Sequence, residues 1–270
     1  MFVIRKYAES FRLLDKKEFF SDNEEKERKG KNMKKSWLVG MIAVIFTGIL
    51  AGCVSAIPDK EAAALFVDHL VYQKSEKKFT ENFQNGENLS ETFKQNEENF
   101  QKSFTEGLLS ANQITEKDAK EITDLLLAQV QAKATYEVKK ITKDGAIRHV
   151  TYGVKGLDFT GMMEATSKKL VAKLLEDEAL SKDQNKVVAE TVRLLKETIP
   201  ETNAKAKAVD VTVDMQPQNG KWQIVDDQSK EMNNLYLAFV AGVADQETLL
   251  GEMTQIMQTI AKQVQEQLEK

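Results

Sequence analysis

One cysteine, two histidines and three prolines serve a chain of 270 residues. The lone thiol, Cys53, excludes a disulfide framework within the chain and any cysteine-rich metal site. His69 and His149 fall on different kinds of segment, one with helical spacing and one with strand alternation, so neither belongs to a local metal-binding or catalytic motif. No G-x-S-x-G elbow, H-E-x-x-H, Walker loop or G-x-G-x-x-G is present. Carboxylates are plentiful, but Asp226-Asp227 and Glu97-Glu98 are sequence neighbours whose side chains need not converge. The chain is therefore expected not to be an enzyme and to carry no cofactor and no metal. An excess of positive charge is also missing: 38 Lys and Arg face 42 Asp and Glu, a net of −4. The balance hides a division at Cys53. Eleven basic and seven acidic residues precede it, whereas 27 basic and 35 acidic residues run from Cys53 to the end, a net of −8. Phosphate binding needs clustered Lys and Arg, so no nucleic-acid partner is expected.

What the chain does have is a long uncharged run. Ser36 to Gly52 is 17 residues without a charge, preceded by Met33-Lys34-Lys35 and closed by Leu50-Ala51-Gly52-Cys53. A positive start, an apolar middle and a small-residue end are the three parts of an export signal. As a helix the run would measure about 26 Å, short of the roughly 30 Å of a bilayer's hydrocarbon core. It can engage an export channel but makes a marginal permanent span.

Leu50-Ala51-Gly52-Cys53 resembles the lipobox of bacterial lipoproteins. That resemblance implies cleavage between Gly52 and Cys53 and a diacylglyceryl group on the Cys53 thiol. It further implies a membrane-anchored protein on the extracytoplasmic face of the cell membrane. The implied organisation is a signal peptide at 33–52, the lipidated cysteine and a short tether at 53–57, and a folded domain at 58–270. Residues 1–32 precede a sufficient signal start at Met33, and Glu24 to Asn32 can be encoded by purine-rich codons like those of a ribosome-binding site. They are read as a misassigned N-terminal extension. The end of the signal, Ile45 to Gly52, also resembles the short hydrophobic peptides that some enterococci release from lipoprotein signals as conjugation pheromones. A second reading therefore makes the chain the precursor of a signalling peptide.

The body alternates between two periods. Pro58 suits the first position of a helix, with Asp59 and Glu61 in its first turn. Helical spacing then carries Leu65, Phe66, His69, Leu70, Phe79 and Phe83. It resumes after Asn85-Gly86-Glu87-Asn88 through Leu89, Phe93, Phe100, Phe104 and Leu108. Thr115-Glu116-Lys117-Asp118 has capping-box form and opens a third helix. A hairpin follows, with Asp144-Gly145 as its turn, then helices at Met162 to Leu180 and Lys182 to Ile199 that Pro200 closes. A second hairpin turns at Asn219-Gly220, and the rest is helical with a break near Gly242 to Asp245.

Two hairpins among helices predict a single α+β domain with a small four-stranded antiparallel sheet, one face covered by helices. Gly220 to Asp226 resembles the final strands of cystatin-like and nuclear-transport-factor-like cone folds. As a whole, the body is similar to uncharacterised helix-plus-hairpin lipoproteins of low-GC Gram-positive bacteria, a likeness that implies location and architecture but no activity. Phe66, Tyr72, Phe79, Phe83, Phe93, Phe100, Phe104 and Trp222 are candidate lining for an apolar ligand cavity under such a sheet. Phenylalanines at helical spacing are more often packed core, and that is the favoured reading of this stripe. The expected function is a lipid-anchored, non-catalytic binding or interaction module whose partner is a peptide, a lipid or an envelope protein.

Overall fold

The computed structural model describes residues 56–112 and 114–268. The 1–32 extension, the 33–52 signal with its Ile45 to Gly52 end, and Cys53 lie outside the described residues. Pro58 stands one position earlier than expected, as the N-cap of α1 (Asp59–Tyr72), and its carbonyl accepts from the Ala62 amide at 2.9 Å. Helix α1 ends where Gln73 takes a left-handed conformation (φ 52°). The Gln73 amide returns to the His69 carbonyl and the Lys74 amide to that of Asp68, a Schellman pair of bonds. This turn divides the first expected helix, so four helices rather than three precede the sheet. The others are α2 (Glu76–Asn82), α3 (Gly86–Asn112) and α4 (Glu116–Lys133). The Thr115 hydroxyl caps α4 by accepting from the Asp118 amide at 3.1 Å.

Strands β1 (Thr135–Asp144) and β2 (Ile147–Lys155) form the first hairpin, with Gly145 at φ +56° in its turn. Next come α5 (Phe159–Glu176), α6 (Glu178–Lys182) and α7 (Gln184–Glu201). The expected break at Ser181 is replaced by two, at Asp177 and Asp183. Each aspartate turns its carboxylate onto the amides of the following helix, at 3.0 Å to Leu180 and 3.0 Å to Asn185. Pro200 does not close α7, which runs through it to Glu201. Strands β3 (Val209–Gln218) and β4 (Lys221–Ile224) turn at Asn219-Gly220, both with positive φ as a type I′ turn requires. Helix α8 (Ser229–Ala241) stops at left-handed Gly242, and α9 (Gln246–Leu268) follows, as the expected break near Gly242 to Asp245 required.

The strands pair antiparallel in the order β1-β2-β3-β4, making one α+β domain. β4 ends at Ile224, so the stretch Gly220 to Asp226 contributes only a four-residue edge strand. Val150, Tyr152 and Val154 of β2, Val211, Val213 and Met215 of β3 and Trp222 of β4 are buried on one face. Helix α1 lies along that face, its Ala62 and Ala63 fully buried and small enough for close approach. Tyrosines clamp it there. The Tyr152 hydroxyl donates to the Ala63 carbonyl at 3.0 Å, Tyr136 donates to Ala64 and Asp68, and Tyr72 donates to the Ala134 carbonyl at 2.8 Å.

Candidate binding groove and polar networks

Five of the eight aromatic candidates are core. Phe66, Phe79, Phe83, Phe93 and Trp222 are buried, while Tyr72, Phe100 and Phe104 are half-buried. Phe79 stacks on Phe83 with ring centroids 4.4 Å apart, and Phe93 meets Phe66 edge-on at 5.9 Å. These rings fill the space between α1, α2 and α3 with one another. Trp222 instead extends from β4 and donates its indole N–H to the Ile57 carbonyl at 2.8 Å.

His69 belongs to this layer. Its ring stacks on Phe79 at 4.2 Å, and Nε2 lies 2.9 Å from the hydroxyl of buried Ser90. Ser90 in turn donates to Glu76, which also accepts from Lys94 at 2.8 Å. Burial pushes the imidazole pKa below its ordinary value, opposed by the nearby Lys74 backbone and the Glu76 charge. The Lys94 hydrogen bond, more than any other influence, holds the Glu76 carboxyl below the usual range. Through these contacts the network ties α1, α2 and α3 together.

His149 lies apart, on the solvent face of the sheet. Its Nδ1 is 2.7 Å from Asp214, its register partner on β3. Beside it Thr151 and Thr212 share a hydrogen bond at 2.9 Å, and Lys139 reaches Asp210 at 2.6 Å. Lys139 is the bulged residue of β1, and its stem passes over Gly153, where an added Cβ would lie 2.5 Å from it. His69 and His149 have separate partners and do not converge.

A concavity that opens to solvent among the described residues uses other side chains. Leu70 and Val71 of α1, Leu127 and Val130 of α4, and Leu235 and Phe239 of α8 wall a small apolar groove open to solvent. Three polar groups sit among them, Glu97 of α3, Gln131 of α4 and Tyr236 of α8. Burial, and then the Glu97 charge, pushes the Tyr236 phenol up to about 12. Its hydroxyl has no hydrogen-bond partner among the described residues. None of the eight aromatic candidates lines this groove, although Phe100 rests against Tyr236 with centroids 6.4 Å apart. The sequence signal for it is the apolar stripe of α8, Leu235, Tyr236, Phe239 and Val240.

An α+β domain whose helices frame a small apolar groove is the class that fold and site define. Residues 56–240 match the family described as a domain of unknown function, DUF5105, and the chain belongs to that family. The groove lies wholly within the matched span. The crystal structure of a candidate lipoprotein, ycdA of Bacillus subtilis, is similar with a TM-score of 0.46 and 18% identity, over 67% of this chain and 55% of that one. The chain thus spans about half the length of that protein. No curated protein matches it.

Proposed function

We propose that this chain is a lipid-anchored, non-catalytic binding module on the extracytoplasmic face of the cell membrane. The observation that carries the anchor is the sequence Leu50-Ala51-Gly52-Cys53 behind an apolar run, six residues before the first described helix begins at Asp59. The groove between α1, α4 and α8 supports the binding half of the reading. Its occupant is an apolar side chain of a partner protein flanked by a basic group. The apolar walls remove the side chain from water, and the half-buried Glu97 carboxylate, which accepts a hydrogen bond from the Gln73 amide, supplies the negative charge for a cation. Phe66, Phe79, Phe83 and Phe93 are not assigned to the lining, because they fill one another's space.

Two measurements test the reading. Mass spectrometry of the membrane-derived protein should find a diacylglyceryl group on Cys53 as the first residue, and Cys53→Ala should abolish membrane retention. Binding of short apolar-basic peptides should be lost when Leu127→Trp fills the groove and weakened by Glu97→Gln. An unmodified Cys53 refutes the anchor. Peptide binding indifferent to both groove variants refutes the site.

A further inference from the structure

The sheet register brings both hairpin turns to one end of the domain. Arg148 pairs with Met215, so the Gly145-Ala146 turn that precedes β2 lies level with the Asn219-Gly220 turn that follows β3. The first described residues dock at this same end. The Ile57 carbonyl accepts from Trp222, and Asp59 accepts from Arg148 at 3.0 Å and pairs with Lys143 at 3.3 Å. The end of α2 closes the corner, with the Gln84 amide donating to the Trp222 carbonyl at 2.7 Å. From here α1 runs the length of the sheet, to where Tyr72 meets Ala134 just before β1 begins. Eleven helical rises separate Asp59 from Leu70, about 16 Å along the axis. The groove, built from Leu70, Val130 and Phe239, therefore opens at the opposite end from the two turns.

We infer that the end bearing the two hairpin turns is the membrane-facing surface of the domain and that the groove points away from the bilayer. This orientation rests on the reading of Cys53 as the lipid-bearing residue. Three peptide units link Cys53 to Ala56, and consecutive Cα atoms are 3.8 Å apart, so the anchor lies within about 11 Å of the turn end. That length is less than the domain's own span, so the tether cannot carry the groove end to the headgroups while Ile57 stays bound to Trp222.

The charge on this end matches an anionic lipid surface. Lys60, Lys143 and Lys221 are exposed around the two turns and the start of α1. Asp144 is the acidic counterpart at the β1 turn, Asp59 is engaged by Arg148 and Lys143, and Glu61 is paired with Lys78 at 2.7 Å. A body carrying −8 from Cys53 onward thus presents its locally basic end toward the headgroups. Its occupant at the groove comes from the space outside the membrane, not from the acyl layer.

The test uses the full lipidated chain in vesicles of phosphatidylglycerol and phosphatidylcholine containing a headgroup-nitroxide lipid. With Cys53 blocked by its thioether, a fluorophore is attached at Ala146→Cys or Gln218→Cys on the turns, or at Gln131→Cys on the groove rim. All three positions are exposed. Fluorescence should be lost at 146 and 218 and retained at 131, and the Lys143→Glu, Lys221→Glu pair should partly restore it at 146. Equal loss at all three positions, or greatest loss at 131, overturns the orientation. Mass spectrometry of the Cys53 peptide separates the two ideas. An unmodified Cys53 overturns the anchor and the orientation with it, whereas a lipidated Cys53 with an inverted quenching pattern overturns the orientation alone.

Discussion

Gly156→Ala is the sharpest perturbation of this fold. Gly156 follows β2 and is threaded between the end of α8 and the segment before β3. Its carbonyl accepts from the Lys205 amide at 2.8 Å, and the next amide, Leu157, donates to the Phe239 carbonyl at 3.0 Å. A Cβ built on Gly156 would lie 1.7 Å from the Ala238 carbonyl oxygen and 2.8 Å from the Gly242 amide. Both are backbone atoms of the α8 terminus, so no side chain can swing aside. Relief requires α8 to shift by more than an ångström, and α8 carries the buried Leu235, Ala238 and Phe239. Overpacking of this kind costs about 1–3 kcal/mol. Losing the Leu157 bond to Phe239 adds about 1 kcal/mol. A total of about 2–4 kcal/mol corresponds, at roughly 2–4 °C per kcal/mol for a domain of this size, to a drop of about 4–16 °C in Tm. Gly251→Ala is the matched control. Gly251 lies inside α9 with nothing within 4 Å of the added Cβ, so the same substitution should stabilise by about 1 kcal/mol through helix propensity. Thermal unfolding followed by circular dichroism reads both. If Gly156→Ala melts with the parent, the close approach of the two backbones is refuted.

Gln129→Ala removes the amide that donates to the Pro200 and Thr202 carbonyls at the end of α7, at 3.0 and 2.6 Å. Leaving those acceptors without their donor should cost about 2 kcal/mol in urea denaturation, with faster amide exchange in the last turn of α7. His69 sets a pH dependence. Burial lowers its pKa below the ordinary 6.5, so as pH falls below 6.5 the unfolded chain takes up the proton first. Its contribution is complete above pH 6.5 and declines as pH falls through the lowered native value. His69→Phe, which keeps the stack on Phe79, should flatten the stability curve between pH 6.5 and about 5, before carboxylates titrate. An unchanged slope would count against burial of the neutral ring. Asp210→Asn should let the Lys139 pKa, now raised chiefly by its hydrogen bond to Asp210, return toward that of ordinary lysine, measurable by NMR titration.

Much of the architecture was legible because it rests on local chemistry. Asp144-Gly145 and Asn219-Gly220 announce their turns, and alternation from Val209 to Met215 marks a strand with one buried face. Thr115 announces a helix start. The misreadings have equally physical causes. Gln73 ends α1 in a left-handed conformation that usually signals itself with glycine, so nothing in Tyr72-Gln73-Lys74 warned of it. Asp177 and Asp183 are N-caps inside a polar run where several residues could have served. Pro200 tolerates helix because it sits in the last turn, where little of the hydrogen-bond ladder remains to be broken. The groove was the least visible feature. Its walls come from α1, α4 and α8, far apart in sequence, and periodicity shows that a stripe is apolar without showing whether another stripe covers it.

The docking of Ile57 and Asp59 has a mechanical consequence. Any pull applied to the chain ahead of residue 56 meets the indole of Trp222 at Ile57 and the guanidinium of Arg148 at Asp59, the first residue of α1. Load therefore divides at once between β4 and β2. Those strands flank β3, whose ladders to both neighbours pass the load across the sheet. Helix α1 is pinned further along by Tyr152 and Tyr136, so it cannot peel away one turn at a time without breaking buried hydrogen bonds. A short leash attached here would hold the domain by its stiffest part, leaving the groove walls at the far end largely unstressed when the membrane moves.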